Sequence, residues 1–316
     1  MTDKKIIAVV GATGAQGGGL ARAILADAGG GHAVRALTRK PDSAPARTLA
    51  AAGAEVVGAD LDDKPGLQRA LQGAHGAYFV TNFWEHFSPE RELAQAAAMA
   101  RAAKAAGLQH VVWSTLEDSR RFVPLADERM PTLMGHYKVP HFDAKGEADR
   151  FFAESGVPTT FLLTSFYWDN LISFGMGPKP GADGGLVWAM PLDEVKFPGI
   201  AVEDIGRCAY GVFKRGSELT GRHVGIAGEH LTGAEMAAAL GEALGQPVRY
   251  QAVTPGQFRG LGFPGADDLG NMFQFNCEFV ADFCRVRDPA TARALNPALQ
   301  TFAQWLAANK ARIPLA

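Results

Sequence analysis

The chain has 316 residues, 47% hydrophobic and 20% charged, with a formal net charge of −2. That fits a folded chain of one large domain or two, and such a weak charge, with Lys and Arg scattered, argues against direct contact with nucleic acid. Cys208, Cys277 and Cys284 show no metal-ligand spacing, and no run approaches the ~18 apolar residues of a spanning helix, so the expectation is a cytoplasmic protein with no membrane partner and no metal.

The first readable element is the apolar run Ile6-Ile7-Ala8-Val9-Val10, a buried strand. Gly11-Ala12-Thr13-Gly14-Ala15-Gln16-Gly17 follows it, and Leu20 to Leu25 has helical spacing. Strand, glycine turn and helix in that order form a dinucleotide-binding βα unit. Gly11 suits the tight turn, Gly14 lets a pyrophosphate approach the main chain, and Gly17 lets the helix lie close to its strand. The free N–H groups of the helix start then favour the phosphates.

Further along, strands are read over 33–38, 54–57, 76–81, 111–113 and 159–163. Helices are read over 48–52, 64–71, 89–106 and 142–154. This alternation implies a doubly wound α/β parallel sheet with ligands beyond the C-terminal strand ends. After Thr164 the rhythm changes. Residues 175–191 read as a loop or hairpin, 202–213 and 231–244 as helices, and 222–227 and 248–253 as strands. The expected division is a large domain of 1–164 plus 196–229, with a smaller α+β domain of 165–195 plus 230–316.

The end of the second strand bears on the cofactor. Leu37-Thr38-Arg39-Lys40 has no carboxylate for a ribose 2′-OH, whereas Arg39 can grip a 2′-phosphate with its planar fork. NADP(H) is therefore expected. Asp60 is placed to contact the adenine or to cap the following turn, and the two roles are compatible.

Four stretches also resemble the NmrA-like family: residues 11–17, Val80-Thr81-Asn82-Phe83-Trp84-Glu85, His141-Phe142-Asp143-Ala144-Lys145-Gly146-Glu147, and Gly262-Phe263-Pro264-Gly265-Ala266-Asp267-Asp268. The likeness covers nearly the whole chain and looks strongest to the branch of vertebrate NADPH sensors. It implies a Rossmann domain of the atypical short-chain dehydrogenase type. It further implies phosphate contacts from residues 11–17, 2′-phosphate contacts from Arg39 and Lys40, and adenine contacts from Asp60 and Leu61. Thr81, Asn82 and Phe83 would lie under the ribose and pyrophosphate, with Lys145 and Tyr167-Trp168-Asp169-Asn170 near the nicotinamide.

Short-chain dehydrogenases usually pair a Lys with a Tyr four residues earlier, so that the Tyr can pass a proton. Here the residue four before Lys145 is His141, and Tyr137 is set off by Pro140. Three readings stand: Lys145 only holds the nicotinamide ribose; Lys145 or His141 is the acid of a reductase; or His141 is a packed helix-start residue. Ser114 or Thr115 could orient a carbonyl, and the 117–140 segment could be a lid or an ordinary surface loop. Phe83, Trp84, Phe166, Tyr167, Trp168, Phe263 and Phe273 could line an apolar pocket. The expected function is a redox-responsive regulator sensing NADPH/NADP, with an NADPH-dependent oxidoreductase acting on a quinone or similar aromatic carbonyl as the alternative. Candidate partners are a small apolar or aromatic substrate, a regulatory protein and a second copy in a homodimer.

Overall fold

The computed structural model describes residues 4–182 and 184–315. Its elements begin with β1 (Lys5–Val10), α1 (Ala15–Ala26), β2 (His32–Thr38), α2 (Ala44–Ala51), β3 (Glu55–Gly58) and α3 (Lys64–Leu71). They continue with β4 (Gly76–Phe79), α4 (Pro89–Ala105), β5 (His110–Thr115), α5 (Pro140–Ser155) and β6 (Thr159–Leu163). Next come β7 (Phe166–Tyr167), α6 (Asn170–Ser173), β8 (Lys179–Pro180), β9 (Leu186–Met190), β10 (Phe197–Ile200) and α7 (Val202–Arg215). The chain closes with β11 (His223–Gly225), β12 (Glu229–Leu231), α8 (Gly233–Leu244), β13 (Val248–Ala252), α9 (Pro255–Arg259), α10 (Ala266–Glu278), α11 (Val280–Val286), α12 (Pro289–Leu295) and α13 (Phe302–Asn309).

The chain divides into two units. The first comprises residues up to Glu117 with Ala144–Thr164 and Val202–Val224; the second comprises Asp118–Asp143, Ser165–Ala201 and Gly225 onward. This differs from the division read from the sequence. The 118–143 segment falls in the second unit, as do 196–201 and 225–229, and the second unit is not much the smaller. Hydrogen bonding explains part of this. Asn271 of α10 donates to the carbonyls of Pro131 (2.8 Å) and Lys138 (2.6 Å), and Gln274 donates to that of Arg129 (2.9 Å).

The first unit is a Rossmann-type sheet of seven strands in the order β11-β6-β5-β4-β1-β2-β3. Pairing is parallel from β6 through β3. The chain leaves β1 toward β2 and β3 and returns to β4 on the other side. The switch point therefore lies at the C-terminal end of β1, where the glycine turn sits. β4 and β5 are buried throughout, as strands covered on both faces must be. One face packs Leu67 and Leu71 of α3, Ala96, Met99 and Ala103 of α4 and Phe152 of α5 against Phe79 and Trp113. α2, α3 and α4 each start with a side-chain cap, from Ser43, Asp63 and Ser88, and a proline in the first turn.

α1 and α7 pack together so closely that side chains are excluded. A Cβ at Gly19 would stand 3.2 Å from the Glu203 carbonyl oxygen, and one at Gly206 would collide with the main chain of Gly19 and Leu20. The Arg22 guanidinium clamps the crossing, with Nε 3.2 and 3.1 Å from the two carboxylate oxygens of Glu203.

The second unit is α+β. β10 pairs antiparallel with β12 and parallel with β7. The 175–191 stretch forms the β8–β9 antiparallel pair, and β9 pairs parallel with β13. Thr232 and Glu235 cap α8 reciprocally, as a capping box does. Among the described residues no helix is long and apolar enough to cross a membrane.

Because the Gly206 contact is with main chain, Gly206→Ala should cost about 3 kcal/mol through overpacking. A chemical-denaturation midpoint unchanged from the wild type would contradict this reading of the crossing.

Candidate functional site

The glycine turn is built by main-chain contacts. Gly11 has φ +64°, a conformation that disfavours side chains. Its carbonyl accepts the Gly14 N–H at 2.8 Å. Gly17 lies against the same turn, where a Cβ would stand 2.5 Å from the Gly11 oxygen and 2.7 Å from that of Val10. Gly14 occupies the N-cap of α1 and is exposed together with Gly11 and Ala15, while Ala12 is buried and Thr13 half-buried. Gln16 is buried and serves as an anchor: its Oε1 accepts hydrogen bonds from Tyr78 and, at 2.8 Å, from Ser114. The turn is also tethered to the end of β2, since the Lys40 N–H donates to Thr38 Oγ1 (3.2 Å), which lies 3.4 Å from Thr13 Oγ1.

A cleft of about 120 Å³ opens at these strand ends, lined among others by Gly11, Thr38, Arg39, Asp60, Leu61, Asn82 and Glu85. Asp60 closes the following turn by accepting the Asp62 N–H at 2.9 Å. Lys40 is exposed. Arg39 is already engaged: both of its terminal nitrogens donate to the Glu85 carboxylate, one at 2.9 Å. Hydrogen bonding to Arg39 holds the Glu85 carboxyl below its ordinary pKa. A turn whose backbone disfavours a side chain at Gly11 and whose packing excludes one at Gly17, a capless helix start and an adjoining cleft that carries the Arg39 fork fit a dinucleotide.

Beside the cleft lies a buried ion pair. The Lys145 ammonium, on α5, is 2.7 Å from Glu92 Oε1, on α4, and donates to Thr81 Oγ1 at 2.5 Å and to the Thr81 carbonyl at 3.3 Å. Thr81 Oγ1 donates in turn to Glu92 Oε1 at 2.7 Å. Three donors of the ammonium are thus met by two residues. The other Glu92 oxygen makes no hydrogen bond; it faces His86 Nε2 at 3.6 Å. His86 Nδ1 accepts the Ser88 N–H at 3.1 Å, so Nε2 carries the ring proton. Burial pushes the Glu92 carboxyl up, but Lys145, His86 and Thr81 outweigh it and hold it at about 2. Sequence reasoning missed Glu92. A signal was there: Glu92 is in helical phase with Ala96, Met99 and Ala103, the buried stripe of α4.

The other candidates are placed differently. Ser114 is committed to Gln16, and Thr115 donates to Asp149 at 2.6 Å. Phe83 is buried, with its ring edge-on to those of Trp84 and Phe87. His141 and residues 167–170 belong to the second unit. The His141 ring Nδ1 lies 2.5 Å from Asp268 Oδ1, and its backbone N–H donates to Asp268 Oδ2 at 3.1 Å. That is the geometry of a packed helix-start residue. Trp168 is core, its ring tilted against those of Phe302 and Trp305, and Phe166 and Phe273 pack with Phe197. Tyr167, Asp169 and Asn170 are half-buried, and Phe263 is exposed. Within the segment read as a lid or a loop, Tyr137 is buried beneath Arg120. Asp143 pins that segment by accepting from the Ser119 N–H and hydroxyl and from the N–H groups of Lys138 and Val139. Among the described residues no group of His, Cys, Asp and Glu could hold a metal ion.

The model of the NmrA-like family matches residues 3–306. The chain belongs to the NmrA-like family. It is 31% identical over 274 residues to an NAD(P)H azoreductase of Xenophilus azovorans, covering 85% of this chain and 86% of that one. It is 30% identical over 284 residues to the NmrA-like family domain-containing oxidoreductase FrzB of Cladobotryum sp, covering 85% and 83%. Among solved structures it is similar to NmrA, a negative transcriptional regulator, in complex with NADP. That match has a TM-score of 0.79 and 25% identity over 97% of this chain and 95% of that one. NmrA has also been solved with NAD.

The buried pair sets an acid limit for this NmrA-like chain. The folded Glu92 carboxyl titrates near 2 against an ordinary 4.5. Its contribution is therefore fully present above pH ~4.5 and is lost as the pH falls toward 2. Glu92→Gln should destabilise by about 3 kcal/mol at neutral pH, since it leaves the buried ammonium uncompensated, and should flatten the stability profile between pH 4.5 and 2. A profile parallel to the wild type would show that Glu92 is not the titrating group.

Proposed function

We propose that the chain is an NADP(H)-dependent oxidoreductase acting on an electron-poor aromatic acceptor of the quinone or azo type. The observation that carries this reading is the buried Lys145–Glu92–Thr81 set at the end of β4. A cation walled in beside the cleft costs several kcal/mol in desolvation, and holding a bound ribose and its charge in register is a use that matches its place. When bound, the nicotinamide supplies the reducing equivalent. The N–H groups at the start of α1 would hold the pyrophosphate, Arg39 would take the 2′-phosphate, and Lys145 would position the ribose by exchanging its weakest bond, the 3.3 Å contact to the Thr81 carbonyl. No tyrosine stands four residues before Lys145, and all three donors of the lysine are engaged. The fitting substrates are those whose reduced anion is protonated by water. Similarity to an NAD(P)H azoreductase and to FrzB supports the same class.

The second reading is a redox-responsive regulator that exposes a changed surface to a protein partner when NADPH binds. Similarity to a negative transcriptional regulator supports it, as does the missing tyrosine.

An NADPH-depletion assay over quinones, azo dyes and aromatic aldehydes, with NADPH and NADH titrated on the same protein, tests both. Turnover should fall at least about tenfold in kcat/KM, or about 1.4 kcal/mol, in Lys145→Ala. Undiminished turnover in that variant removes the proposed role of the lysine. Tight NADPH binding with no turnover and a protease-cleavage pattern altered by NADPH would favour the regulator.

A further inference from the structure

Glu85 was not among the residues that the sequence offered as a cofactor contact, yet it occupies the guanidinium on which the 2′-phosphate assignment rests. Resting on the NADP(H) reading above, we propose that Glu85 sets the discrimination between NADPH and NADH by acting as an internal competitor for the 2′-phosphate. An arginine fork presents its paired N–H groups to a carboxylate or a phosphate in the same way. Here both Glu85 oxygens are on that fork, and both residues line the same cleft as Gly11 and Asn82. A phosphorylated ribose has to displace the carboxylate and then stay beside it. An unphosphorylated ribose leaves the pair intact.

The pair is suited to being broken. The Arg39 and Glu85 side chains are 54% and 40% exposed, and exposed ion pairs contribute only about 0.2–1 kcal/mol. A dianionic phosphate can outcompete a carboxylate held that weakly. The other acids nearby are committed elsewhere. Asp60 accepts the Asp62 N–H, and Asp62 is bound by Arg91 at 2.6 Å and by Gln95 at 3.1 Å. Glu85 is therefore the carboxylate seated on the fork. Its position is fixed from behind, since it ends a single 3-10 turn, Phe83–Glu85, whose first ring is buried.

Isothermal titration of the full chain with NADPH, NADH, 2′,5′-ADP and ADP tests this on wild type, Glu85→Gln, Glu85→Ala and Arg39→Ala. Both Glu85 variants should tighten NADPH and 2′,5′-ADP by about three- to tenfold, the scale of an exposed pair plus the repulsion it leaves behind. NADH and ADP should change by less than about twofold, because an intact pair is not their competitor. Unchanged NADPH-to-NADH ratios in both Glu85 variants, with NADPH weakened in Arg39→Ala, would overturn the role of Glu85 while leaving the cofactor reading standing. Absence of NADPH binding to the wild type, or an Arg39→Ala variant that binds it as well, would overturn the cofactor reading and this proposal with it.

Discussion

Water is kept away from one full positive and one full negative charge at the end of β4, and the Rossmann unit is arranged around that exclusion. Desolvating an ammonium and a carboxylate costs several kcal/mol each, and their attraction repays this only when the remaining hydrogen-bonding capacity is used. Thr81 is what makes the arrangement possible. Its hydroxyl accepts from Lys145 and donates to Glu92, so one side chain bridges both ions. The small side chains of α4 let the helix lie close enough for Glu92 to reach, and the Trp113 ring stands 5.5 Å from the ammonium on another side. Remove the threonine, and a geometry that is nearly balanced becomes two poorly satisfied charges.

Two ion pairs of opposite character hang on the same short segment. Thr81, at one end, is bound into the buried Lys145–Glu92 pair; Glu85, at the other, holds Arg39 in the open. The first is rigid because breaking it would strand a charge in low dielectric. The second is changeable because water can replace either partner at small cost. A fixed pair beside the cleft and a changeable pair lining it can keep one end of a ligand in register while its far end varies.

What could be read from the chain was local. The glycine turn, the strand–helix alternation and helices such as α3 announce themselves through apolar period, a capping residue and a proline in the first turn, all within a few positions of one another. What could not be read was pairing at a distance. Glu92 looks like an ordinary acidic residue in a helix's first turn, and only its phase with Ala96 and Met99 hints that it faces inward. Glu85 ends one of the stretches that resemble the family, but nothing in that stretch tells that it pairs with Arg39, 46 residues away. Asp268 lies 127 residues from the His141 it binds, and no periodicity links them. Trp168 follows a strand, as ligand-lining aromatics do, but the second unit uses it as core against Phe302 and Trp305. The 118–143 segment reads as a lid or a surface loop because its order comes from contacts that no local pattern shows: Asp143 collects N–H and hydroxyl donors across it, and Asn271 holds two of its carbonyls.

The glycine-lined crossing of α1 and α7 has a consequence for how the chain is made. Arg22 and Glu203, which clamp it, are 181 residues apart, and β11 completes the sheet beyond β6 only after that. During vectorial synthesis the Rossmann half therefore cannot close when its first six strands have emerged. One face of α1, smooth at Gly19, and the free edge of β6 wait for a segment made much later. Contacts this remote in sequence are slow to form, and the waiting surface is where a nascent chain is vulnerable to association with its neighbours.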